Sequence, residues 1–170
     1  MTTAYPHPNN PTHTLLDPTA SGTVLQYALA IESTLNLIFA TYILLLPTSF
    51  LSFLTPSTST PITPLSTTLA QLFALMIYTL TIPMLLAIPN TRRGIELRAP
   101  VYTYLGLSEV MLIGLFVYLG LGVGAEASGI SGKAVVAVVG NLVPPCLFRW
   151  YVLGVRPEWM GRYRDVGKLD

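Results

Sequence analysis

Charge is what this chain has least of: Lys, Arg, Asp and Glu make up 10% of its 170 residues, against 52% apolar ones. Soluble domains carry about 25% charged residues, so so bare a surface is built to face something other than water, and lipid is the simplest such medium. The formal net charge is +1 with no clustered basic face, which argues against a nucleic-acid partner, because neutralising phosphates needs many Lys and Arg on one surface. A single cysteine, Cys146, excludes an intrachain disulfide, and its apolar neighbours mark it as a small buried hydrophobe. Histidine is nearly absent too. His7 and His13 both lie in a polar leader, so no metal and no other cofactor is expected in the core. The first 23 residues lack Lys and Arg, which removes the basic region of a cleavable signal and leaves the first apolar run as an anchor. No asparagine opens a permitted glycosylation sequon; Asn10 is followed by Pro11.

What is present in abundance is long apolar runs. Four of them, 24–46, 69–88, 101–123 and 134–153, would each span about 30 to 35 Å as a helix, enough for a hydrocarbon core of about 30 Å. Backbone polar groups cannot be left bare in lipid, so these segments are predicted to be helices. The expected fold is therefore all-α: a four-helix transmembrane domain over 24–153, a disordered polar tail at 1–23 and a basic, aromatic tail at 154–170. Pro83 in the second helix and Pro144-Pro145 in the fourth predict kinks, since proline removes a backbone donor.

Basic residues sort by side. With four crossings, the two ends and the middle connection share one side, which collects Arg92, Arg93, Arg98, Arg156, Arg162, Arg164 and Lys168; the other side has Lys133 alone. The positive-inside rule then places both termini in the cytosol, with Arg92-Arg93 near anionic lipid. Trp150, Tyr151, Trp159 and Tyr163 form the expected aromatic belt where the fourth helix leaves the membrane. The Ser/Thr/Pro run from Thr55 to Thr68 reads as a flexible outer loop.

A weak internal repeat aligns Tyr27, Glu32, Leu35 and Phe39 with Tyr104, Glu109, Leu112 and Phe116 at identical spacing. It suggests two helical hairpins of like orientation related by an axis along the membrane normal.

Glu32 and Glu109 are the most informative residues. Counted from the cytosolic end, each lies about 12 Å deep, and a carboxylate at a helix centre costs about 2.5 to 3.5 kcal/mol on insertion scales, so both should face a shared polar interior. Asn36 lies one turn beyond Glu32; Asn141 and Arg149 lie on the fourth helix. Two readings compete. In one, Glu32 and Glu109 are an acid/base pair, with Asn36, Asn141, Tyr102, Tyr104 and Arg149 lining a pocket for a lipophilic isoprenoid, sterol or polyketide; Tyr27 and Phe116 add aromatic faces for a developing cation. In the other, the polar groups only hold the bundle of a non-enzymatic accessory or scaffold protein together, with Arg149 either paired or snorkelling to the headgroups. A proton-coupled transporter needs a polar path through the outer halves as well, and these carry only Gln71 and scattered Thr. Membrane lipids are the expected surroundings. Gly106, Gly114, Gly120, Gly124, Ala137 and Gly140 permit close helix approach, within the bundle or in a homodimer.

In length, in four crossings and in intramembrane acids at Glu32 and Glu109, the chain resembles the EXPERA group of small sterol-isomerase and sigma-receptor-like proteins, and more distantly the membrane terpene cyclases of fungi. The resemblance is architectural and implies no role for any single residue. Anthrone-oxygenase-like membrane enzymes are of similar size, but they are expected to use a core histidine, which this chain lacks.

Overall fold

A computed structural model describes residues 14–16, 22–56 and 61–165. It is an all-α bundle of four helices long and apolar enough to cross a membrane. The elements run β1 (Thr14–Leu16), α1 (Thr23–Leu45), α2 (Pro47–Leu54), α3 (Pro64–Ala87), α4 (Arg92–Val117), a π-helical extension (Tyr118–Val123), α5 (Ala125–Ser128), α6 (Gly132–Gly154), a 3₁₀ turn (Pro157–Met160) and β2 (Tyr163–Asp165). The first helix packs chiefly on α3 and α4 on α6, so the bundle is two hairpins joined along α3 and α4.

The helix limits follow from local chemistry. Leu46 precedes Pro47, whose ring disfavours the helical region for the residue before it; Leu46 is at φ −126°, ψ 54°, and the chain turns there from α1 into α2. Thr63 caps α3 through the Ser66 N–H, with Pro64 at the first helical position. Thr91 caps α4 at Gly94, and Ser131 caps α6 at Ala134. Two helices therefore start well before their apolar runs, α3 at Pro64 and α4 at Arg92, and α4 continues through Pro100. The loop expected from Thr55 to Thr68 is shortened by α3, and residues 57–60 of it lie outside the described residues. Pro83 and Pro144-Pro145 sit inside unbroken helices.

Most of the polar leader, with His7 and His13, lies outside the described residues. Thr14–Leu16 pairs antiparallel with Tyr163–Asp165, so both ends of the chain meet on one face of the bundle. Two apolar clusters fill the interior. One, of Leu25, Leu29, Met84, Ala87, Val101, Tyr102 and Val152, lies toward the face where the termini meet. The other, of Ile43, Ala70 and Ala74, lies at the opposite end, where Phe50 of α2 stacks on Phe73 with centroids 6.4 Å apart. Large apolar side chains such as Ile31, Leu72, Met111 and Leu121 point outward, as expected of helices solvated by lipid tails.

Candidate functional site

Three helices deliver three charges to one point. Arg149 of α6 is 1% exposed; its Nη2 donates to Glu32 Oε1 of α1, and its Nη1 is ion-paired with Glu109 Oε1 of α4. The guanidinium carbon lies 5.6 Å from the centroid of the Tyr102 ring, a cation–π distance. Arginine suits this position because its planar fork engages two carboxylates through separate nitrogens. Arg149 therefore does not snorkel to a headgroup layer; it is the hub to which α1 and α4 are tied.

The α4 contribution comes from one helical stripe. Gly94, Arg98, Tyr102 and Gly106 recur every fourth residue, Glu109 follows three later, and all five are buried. Gly106 faces the Trp150 indole of α6, and a Cβ there would lie at an ordinary contact distance of 3.5 Å from it.

The hub is not saturated. Tyr102 Oη, Ser33 Oγ, Glu109 Oε2 and Arg149 Nε are buried and have no hydrogen-bond partner. Ser33 directly follows Glu32 and is 1% exposed. In a low-dielectric interior an unmet polar group costs about 1 to 3 kcal/mol, and three of these, on Tyr102, Glu109 and Arg149, belong to one cluster.

Of the residues expected to line this region, the structure brings together Glu32, Glu109, Arg149 and Tyr102. Asn36 is half-buried and donates to Met84 Sδ at 3.6 Å, at the edge of the terminal-side core. Tyr104 and Asn141 are not brought in; both are exposed on the bundle surface. Helix geometry explains both: Tyr104 is two residues, about 200°, around α4 from Tyr102, and Asn141 is two turns and about 80° from Arg149. Tyr27 is exposed as well. The repeat thus pairs an outward Tyr with an outward Tyr and an inward Glu with an inward Glu.

Two residues were missed by sequence reasoning, Ser33 and Arg98. Arg98 was grouped with the basic residues of a connection, but it is fully buried. Its Nε donates to Ala87 O and its Nη2 to Ile88 O and Asn90 Oδ1, capping the end of α3, while Nη1 donates to Met160 O at 2.8 Å. Its place in the four-residue stripe of α4 was the available signal. Cys146 is buried and free. Among the described residues, no cluster of His, Cys, Asp and Glu could hold a metal ion.

The chain matches no family model, no curated protein and no solved structure.

Proposed function

We propose that this is a multi-pass membrane protein that binds the polar end of a small lipophilic molecule at the Arg149 hub. One observation carries the reading: Tyr102 Oη, Ser33 Oγ, Glu109 Oε2 and Arg149 Nε are buried donors and acceptors with nothing to bond. A ligand bearing a hydroxyl or carbonyl would meet them, while its apolar body lies among surfaces already suited to lipid. The classes that fit are isoprenoids, sterols and polyketides. The proposal stops at binding, because Glu32 and Glu109 each commit an oxygen to the same guanidinium, which is not the separated pair an acid/base isomerase or cyclase needs. The basic residues gathered on the side of the two termini favour a cytosolic position for both ends.

The second reading, an accessory or scaffold protein, is favoured by the ion triad itself, which joins three helices with or without a ligand. One variant separates the two. Tyr102→Phe removes a hydroxyl without touching the triad. For a binding site, the variant loses about tenfold in affinity for the ligand class, read as thermal shift with farnesol and with cholesterol, and as loss of co-purifying lipophilic species in native mass spectrometry. Its unfolding temperature without ligand stays equal or rises. Equal binding by wild type and variant would rule out a ligand site at Tyr102, and binding by neither would leave the joining of three helices by the ion triad as the role the geometry supports.

A further inference from the structure

We infer that the protein self-associates through the outward face of α6 centred on Asn141. Asn141 is the tenth residue of α6, about 14 Å from its start and hence near the bilayer midplane. Its amide is exposed and makes no hydrogen bond among the described residues. Lipid tails offer an amide no partner, and a polar side chain in a helix face is met in a bilayer by another helix.

The surroundings are shaped for that approach. Val136, Ala137, Gly140, Asn141, Pro144 and Leu147 form one exposed stripe, and a Cβ on Gly140 would meet nothing within 4 Å. The neighbouring helix is equally uncovered, since no described residue from Val110 to Val123 is buried. Gly106 contacts Trp150 and Gly120 contacts Val135. This antiparallel register puts Gly114, also open, level with Asn141. The occupant is a second copy of this chain. An amide both donates and accepts, so Asn141 is complementary to its own image across a two-fold axis, and one residue closes the interface without another protein.

The test uses the full chain in liposomes. Stepwise photobleaching of labelled protein across a range of protein-to-lipid ratios should show dimers for wild type and a dissociation constant raised about tenfold for Asn141→Leu, with the unfolding temperature of each protomer unchanged. In a Cys146→Ala background, Asn141→Cys should cross-link to its copy under mild oxidation, whereas Leu72→Cys, exposed on α3, should not. A wild type that stays monomeric at every density, a dimer indifferent to Asn141→Leu, or equal cross-linking at both positions would overturn the inference.

Discussion

Glu32 and Glu109 share one guanidinium: Arg149 gives Nη2 to the first and Nη1 to the second, so residues far apart in the chain are joined through a third helix. Neither carboxylate could sit at that depth alone, and together they account for a buried arginine.

Removing the hub should be severe. Arg149→Met leaves two carboxylates facing each other without a counter-charge, a loss expected at about 3 to 5 kcal/mol. Arg149→Lys should recover only part of it, because a compact ammonium on a shorter side chain cannot reproduce the two separated nitrogens with which the planar guanidinium meets the carboxylates. Thermal unfolding in detergent or lipid nanodiscs checks the order wild type, Lys, Met.

Arg98 predicts a different phenotype, confined to one end of the molecule. Arg98→Met removes the bonds to Ala87, Ile88, Asn90 and Met160. The Pro157–Met160 turn should then exchange its amides faster and become sensitive to trypsin at Arg156 or Arg162. Exchange around Glu32 and Glu109 should change little.

Gly22 should not accept a side chain. It sits at φ 67°, and a Cβ there would collide with Arg98 Nη1. Gly22→Ala combines left-handed strain with that clash, so a cost of about 1 to 3 kcal/mol is expected, read as a lowered unfolding temperature. Gly129→Ala shares the positive φ but meets nothing within 4 Å, so it should cost less.

The spans were legible because four runs of 20 to 23 predominantly apolar residues have one use, and the two acids were legible because carboxylates inside such runs need company. The rotation of each helix was not. Helices apolar on every side carry no amphipathic stripe, so the sequence could not tell that Tyr102 turns inward and Tyr104 outward, or that Asn141 faces away from Arg149. Helix starts at Pro64 and Arg92 were obscured by the prolines and charges ahead of the apolar runs. The capping residues Thr63 and Thr91 were the missed signals.

The central claim is that Arg149 compensates both acids inside the bundle, and a mutant cycle tests it by sign. Glu32→Gln should lower unfolding stability in the wild-type background, where it breaks an ion pair. In the Arg149→Met background the same change should raise stability, because it relieves one of two unbalanced buried charges. Equal effects of Glu32→Gln in both backgrounds would contradict the account.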